Sequence, residues 1–300
     1  MIIDIHAHVC DTLAAITQGE PLRSLRYGLA QIGNRKVQFF PPSFENSNSP
    51  VEALIAQMNA SGVDKALLMA NPYYGYTNDY FIESVNKYPD RLKGIALVDL
   101  LKGKEAAEEL AGIYDSTPLI GFKIETDSTF QCAKNKHMAD DDLLPVFDVL
   151  NAYHQPCFIH MFTGRDIEDL HKLTKLFPKI LFVLCHMGAD SCFAGGLHND
   201  RFNDLVELVR NNSMVYFDTS TVPVYFKEEY PYPTSAAIIQ KAYEKVGADK
   251  MMWSSDYPGM LNHATYDQLI HLLDRHTGIP QSDLDLIMGG NAQRLFFKDA

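Results

Sequence analysis

The sequence predicts an α/β fold, a (β/α)8 TIM-like barrel, from three observations. Eight short runs rich in apolar and β-branched residues recur along the chain, and segments with apolar residues at i, i+3 and i+4 lie between them. A repeated strand-helix pattern needs parallel strands buried on both faces, and eight such units close into a barrel. Finally, 300 residues at 46% hydrophobic suit either two ordinary domains or one large barrel. No linker, low-complexity tract or charge run divides the chain, so residues 1–300 read as one domain.

The first run, MIIDIHAH, alternates as a strand: Asp4, His6 and His8 fall on one face, Ile3, Ile5 and Ala7 on the other. A long connection follows, from about Cys10 to Pro50, and carries QFFPPSFENSNSP. Connections of this length are functional lids or disordered segments, and the aromatic and proline content here favours an ordered flap over the C-terminal face of the barrel. Seven runs complete the strands: KALLMANP, KGIALVDL, LIGFKIE, PCFIHMF, ILFVLCHMG, MVYFDTS and MMWSSDYP. Between them lie VEALIAQMNASG, DYFIESVNKYP, GKEAAEELAGIYD, DDDLLPVFDVLNAYH, RDIEDLHKLTKLFP, DRFNDLVELVRNN and TSAAIIQKAYEKVG. Several of these open on Asp, Ser or Thr and end near Gly, Pro or Asn, as helices do. GGNAQRLFF closes the chain as a last helix packed on the barrel.

Composition narrows the function. A net charge of −12 argues against a sequence-independent grip on nucleic acid or anionic lipid, leaving a small molecule as the expected partner. The longest apolar stretches, such as KILFVLCHMG, are too short to span a bilayer, and the start lacks the basic and apolar regions of a secretory signal, so the reading is cytoplasmic. Five cysteines (Cys10, Cys132, Cys157, Cys185, Cys192) contain no C-x-x-C pair, which argues against a disulfide framework or thiolate zinc knuckle. They read as mostly buried thiols, with Cys185 the clearest.

In a barrel of this type the active site is built at the carboxyl ends of the strands, so polar residues there carry the information. The first strand ends with His6 and His8, the fourth with Lys123 and Glu125, the fifth with His160, the sixth with His186 and the eighth with Asp256. A buried imidazole or carboxylate loses hydration that a metal ion replaces, and an i, i+2 histidine pair can converge on one ion. The alternative for the first pair is an exposed edge strand. Taken singly, His160 and His186 fit core histidines bonded to backbone, and Asp256 fits a turn or helix cap; together with His6 and His8 they point to one centre.

These residues carry a resemblance: D-x-H-x-H at the start, a histidine ending each of the fifth and sixth strands, S-D-Y-P at the eighth and N-A-x-R-L-F near the end. From Ile3 to about Phe297 the chain resembles the amidohydrolase superfamily, in the amidohydrolase-related branch that includes aminocarboxymuconate semialdehyde decarboxylase and the resorcylate decarboxylases. The resemblance implies a barrel of the metal-dependent hydrolase type with one divalent metal. It makes His6, His8, His160 and Asp256 the ligands, with Asp256 also catalytic, and makes His186 the residue that orients or deprotonates the metal-activated water. Imidazoles with one carboxylate suit zinc, and ligand type also admits manganese or iron. Family members are often homodimers, although no motif here marks an interface.

Lys123 reads in two ways. In binuclear members of the superfamily a carbamylated lysine on the fourth strand bridges two metals; in single-metal members, which the chain resembles more closely, a lysine there can hold a substrate carboxylate. Glu125 is a ligand in a related subtype or an ion-pair partner of Lys123. Arg165 is placed to clamp an anionic substrate, or it pairs with Asp166 or caps a helix. Tyr73 and Tyr74 either line the pocket or are loop aromatics. Asp4 is expected below the ligands on their own face, holding neighbours in register.

The function expected is a metal-dependent hydrolase in which activated water attacks an amide, ester or lactone carbonyl of a small carboxylate-bearing substrate. The alternative is a non-oxidative decarboxylase of an aromatic or enoic acid. Met161 and Phe162 follow His160 where the decarboxylases often have proline and then tryptophan, which favours the hydrolase. A TatD-like nuclease would carry a G-E-x-G-L-D segment that is absent here, and a non-catalytic barrel would not be expected to keep the full ligand set together with His186.

Overall fold

The computed structural model describes residues 1–14, 16–17, 20–126 and 136–297; Cys132 lies outside the described residues. The chain forms strands β1 (Ile3–Ala7), β2 (Ile16–Thr17), β3 (Glu20–Ser24), β4 (Leu29–Ile32), β5 (Arg35–Gln38), β6 (Lys65–Leu68), β7 (Leu92–Ala96), β8 (Ile120–Glu125), β9 (Cys157–His160), β10 (Phe182–Leu184), β11 (Val215–Asp218) and β12 (Met251–Met252). β1 and β6 to β12 make one eight-stranded sheet in chain order, with parallel pairing throughout. Its two edges meet where Asp256 N–H donates to His6 O (2.8 Å) and His8 N–H to Tyr257 O (2.6 Å). The expected (β/α)8 barrel is thus the observed architecture, and each of the eight runs supplies one strand.

Helices fill the connections because each carries one apolar face. Tyr266–His276 buries Tyr266, Leu269, Ile270, Leu272 and Leu273, and its first turn is fixed by Thr265 and Gln268, whose side chains each bond the other's backbone N–H. The core has two layers. Inside the barrel lie Ile3, Ile5, Ile95, Phe158, Val183 and Met252, closed at the amino-terminal end by Phe296 and Phe297 from and just after the last helix, Asn291–Phe296. Outside it, Leu68, Phe122, Ile124, Leu184 and Phe217 meet the helices. The buried, free Cys10, Cys157, Cys185 and Cys192 agree with the thiol reading.

One expectation about the first strand is corrected. Asp4 pairs with Ala66 but Ala7 with Leu68, so three steps on β1 match two on β6. That β-bulge breaks the alternation, and Asp4, His6 and His8 no longer share a face. Ile3 and Ile5 stay in the barrel interior while Ala7 joins the outer layer. Asp4 turns toward the helices: its carboxylate accepts from Tyr266 Oη (2.6 Å) and Ser255 Oγ (2.5 Å), and from the backbone N–H of His6 and Ser255 (3.0 Å each). It still buttresses the first strand, from behind.

In the long connection after β1, β2 to β5 form an antiparallel sheet of their own. Its small core is Cys10, Leu13, Leu22, Ala30 and Phe40, and a two-way backbone bridge between Cys10 and Ser49 fastens its ends. Phe39 and Phe40 pack on Tyr74, and Tyr74 packs on His8 with ring centres 4.9 Å apart. The insertion therefore reaches the mouth of the barrel through Tyr74, and also through Phe44 against Tyr257 and Ser49 Oγ donating to His8 O (3.2 Å). No helix among the described residues is long and apolar enough to cross a membrane.

Candidate metal and catalytic site

The strand ends place His6, His8, Lys123, Glu125, His160 and His186 at the carboxyl mouth of the barrel, nearly all out of contact with water; the Asp256 side chain keeps 21% of its exposure. His186 and Asp256 both sit at φ of +56°, in the left-handed region. For non-glycine residues this costs on the order of 1–3 kcal/mol, and such strain clusters at functional sites. The backbone bond from Asp256 N–H to His6 O holds it there.

His6 Nε2, His8 Nε2 and Asp256 Oδ1 converge: Asp256 Oδ1 is 3.8 Å from the first and 3.2 Å from the second. Donors around a tetrahedral zinc bound at about 2.05 Å lie about 3.4 Å apart, so the triangle fits an ion. Each histidine is tied on its other nitrogen. His6 Nδ1 donates to Asp218 Oδ2 (2.7 Å) and His8 Nδ1 to Met69 O (2.7 Å), which leaves both Nε2 lone pairs facing the triangle. Thr221 Oγ1 donates to Asp256 Oδ2 (2.7 Å), turning Oδ1 to the same point. A second group, His6, Cys185 and Asp218, also brings three donor atoms within 4.8 Å of one another. In that group His6 Nδ1 and Asp218 Oδ2 are already hydrogen-bonded to each other at 2.7 Å.

His160 stands beside the triangle rather than in it. Its Nδ1 is 2.9 Å from Glu125 Oε2, and its buried Nε2 makes no hydrogen bond, with Asp190 Oδ2 3.6 Å away. A buried ring nitrogen left without a partner at this mouth is what a metal ligand looks like before its ion is considered. Burial opposes a charge on His160, but Glu125 and Asp190 outweigh it and push its pKa up to about 9.

Lys123 Nζ pairs with Glu125 Oε1 at 2.7 Å, the ion pair read from the sequence, and also approaches His6 Nε2 at 3.3 Å. Burial works against both charges of that pair. Lys123 and His160 nonetheless hold Glu125 well below the usual carboxylate range, and Glu125 keeps Lys123 above its ordinary value. The ammonium thus has a carboxylate of its own.

His186 Nδ1 lies 2.6 Å from Ser220 Oγ, and its ring packs between those of His6 and His160, with centres 4.8 and 4.6 Å away. Burial, then the charges of His160 and His6, put His186 well below its ordinary pKa. Neutral at pH 7, it can act as a base.

Arg165 is not brought to the site. It lies on the helix Gly164–Leu176 with 54% of its side chain exposed, paired to Glu168 (2.8 Å) and Asp169 (3.4 Å) on that helix. Asp218, by contrast, is not among the residues that the strand ends of the sequence point to, although MVYFDTS places it at the seventh strand end in phase with the inward Tyr216. That phase was the available signal.

A family model described as Amidohydrolase matches residues 3–298. A gamma-resorcylate decarboxylase from Polaromonas sp. is 22% identical, with 91% of this chain and 89% of that protein covered. Among solved structures, an amidohydrolase from Burkholderia multivorans with bound zinc superposes with a TM-score of 0.74 at 18% identity over 100% of both chains. A probable 2-pyrone-4,6-dicarboxylic acid hydrolase from Acinetobacter baumannii with citric acid bound does so with a TM-score of 0.72 at 19% identity over 99% of both.

Proposed function

The chain belongs to the amidohydrolase family, and from that membership we propose that it is a metal-dependent hydrolase acting on the carbonyl of a small carboxylate-bearing substrate. The observation that carries this reading is the triangle of His6, His8 and Asp256 with the His186 ring stacked on that of His6 beside it. With His160 as a further ligand, these donors would hold one divalent ion, zinc by donor type, which polarises a carbonyl and lowers the pKa of bound water. His186 keeps its Nε2 lone pair free to take a proton from the attacking water, because its Nδ1 proton is committed to Ser220. Asp256 presents Oδ1 with its position fixed by Thr221. Lys123, next to His6 Nε2, is the nearest ammonium for a substrate carboxylate, shared with Glu125.

A second reading, non-oxidative decarboxylation, is favoured by the Polaromonas relative, which matches 91% of this chain. One experiment separates the two. Zinc-loaded enzyme is screened in oxygen-18 water against carboxylated lactones, esters and amides and against hydroxybenzoic acids. Hydrolysis puts label into a new carboxylate; decarboxylation releases carbon dioxide and takes a solvent proton onto carbon. Turnover only of the second kind overturns the hydrolase reading.

A further inference from the structure

We propose that Asp218 is a positioning residue that fixes the tautomers of two site histidines at once, His6 directly and His186 through Ser220. The consequence for metal binding and turnover rests on the reading above; the tautomers themselves do not.

Asp218 is fully buried, and its only ionisable partner at salt-bridge distance among the described residues is His6. Its Oδ1 takes Ser220 N–H (2.8 Å), Ser220 Oγ (2.5 Å) and Ser254 Oγ (2.5 Å), while Oδ2 takes His6 Nδ1 (2.7 Å). A carboxylate can only accept, so the single hydroxyl hydrogen of Ser220 points at Asp218. Ser220 Oγ then has only lone pairs to offer His186, and the hydrogen in that 2.6 Å contact belongs to His186 Nδ1. Both rings are thereby left with Nε2 as the basic atom: that of His6 is aimed at the metal triangle, with Lys123 Nζ 3.3 Å away, and that of His186 is free to accept a proton. The buried negative charge of Asp218 also calls for a compensating charge, which a cation on the far nitrogen of His6 supplies.

Replacing the carboxylate by an amide makes the two arms distinguishable. In Asp218→Asn the amide oxygen must face the three donors from Ser220 and Ser254, which turns Nδ2 toward His6 Nδ1. Two donors cannot face each other, so the His6 proton moves to Nε2, the atom that would bind metal, and Lys123, 3.3 Å away, gives up that contact and keeps Glu125 as its acceptor. His186 keeps its tautomer, because Ser220 still has an acceptor. Ser220→Ala does the reverse.

The test is a long-range proton–nitrogen correlation spectrum of protein labelled with 15N-histidine, with His6→Gln and His186→Gln as assignment controls, alongside titration with zinc chloride. Wild type should show Nδ1-protonated His6 and His186. Asp218→Asn should move His6 to the Nε2-protonated form and weaken zinc about 10–100-fold. Ser220→Ala should release the His186 tautomer, leave zinc affinity unchanged, and lower kcat without raising KM on the substrate found by the oxygen-18 screen. An unchanged His6 tautomer in Asp218→Asn overturns the direct arm, and an unchanged His186 tautomer in Ser220→Ala overturns the relay. Should Asp218→Asn not fold, the wild-type spectrum decides, since an Nε2-protonated His6 or His186 there refutes the proposal. Wild type with the stated tautomers but no zinc binding overturns the metal-centre reading and leaves the proposal standing.

Discussion

The two ends of the barrel are built from the same eight strands and solve opposite problems. At the amino-terminal end Ile3 and Phe158 meet Phe296 and Phe297, with ring centres of Phe158 and Phe296 5.7 Å apart; burial drives the closure, and Asn291 Nδ2 pins the last helix to Ala248 O and Met251 O. At the carboxyl end the strands finish in His6, Lys123, Glu125, His160 and Asp218, whose burial is unfavourable unless each finds a partner. Those partners come from other strand ends: Asp218 of β11 for His6, Met69 just after the neighbouring β6 for His8, and Ser220 just after β11, beside β10, for His186. The difference teaches that one end can lose a side chain at a cost in stability, and the other at a cost in chemistry.

Substitutions at the mouth should give the largest effects, and they should fall on activity. His6→Ala or Asp256→Ala removes one corner of the metal triangle, and metal content by elemental analysis should fall together with turnover. His186→Asn should retain its metal and lose about 10²–10⁴-fold in kcat, the span of a general base. A fully active His186→Asn would remove that residue from the mechanism.

The opposite end should respond in the other currency. Phe296→Ala deletes a buried ring and should lower stability by about 3–5 kcal/mol in urea unfolding, while metal content and kcat of the folded fraction stay at wild-type values. A loss of metal in this variant would show that the two ends are coupled, and the contrast between them would fail.

How much of this was legible in the sequence differs along the same axis. Strands such as KALLMANP and ILFVLCHMG announce themselves because parallel strands buried on both faces need unbroken apolar runs. His6, His8, His160, His186 and Asp256 were legible as candidates because a polar residue at the end of such a run has few structural uses. The β-bulge between Asp4 and Ala7 was not, since one inserted residue leaves no mark on composition while it sends Asp4 to the helix layer. Asp218 stood in plain phase at a strand end, yet its role depends on a histidine 212 positions earlier in the chain. Local pattern reveals where a side chain points, not which distant nitrogen it meets.

A smaller effect belongs to the amino-terminal end. Lys250 donates to Asn212 O (2.7 Å) and lies over the ring of Tyr216 at 4.5 Å. Burial, with Arg294 adding like charge, lowers its pKa to about 8 from a usual 10.5. Between those two values the unfolded chain holds more protons than the folded one, so the contribution of Lys250 to stability rises with pH from about 8 upward and is flat below. Urea midpoints of wild type and Lys250→Met, compared at neutral pH and in this alkaline window, should move in favour of wild type as pH rises. A gap that does not change with pH would mean the lysine is as well hydrated folded as unfolded.

The smallest effect should come from Arg165, the residue the sequence offered as a substrate clamp. Glu168 and Asp169 lie three and four positions on, within reach on a helix, and they take its guanidinium at 2.8 and 3.4 Å. An exposed pair of this kind is worth only about 0–1 kcal/mol, so Arg165→Ala should shift stability by little. Because the charge is spent on its own helix, KM for an anionic substrate should also stay within about twofold, the change expected when no buried contact is lost. A tenfold or larger rise in KM with kcat unchanged would instead mean that substrate draws Arg165 off Glu168 and Asp169. The mouth would then extend along the helix Gly164–Leu176, and the line between chemical and structural ends would have to be redrawn there.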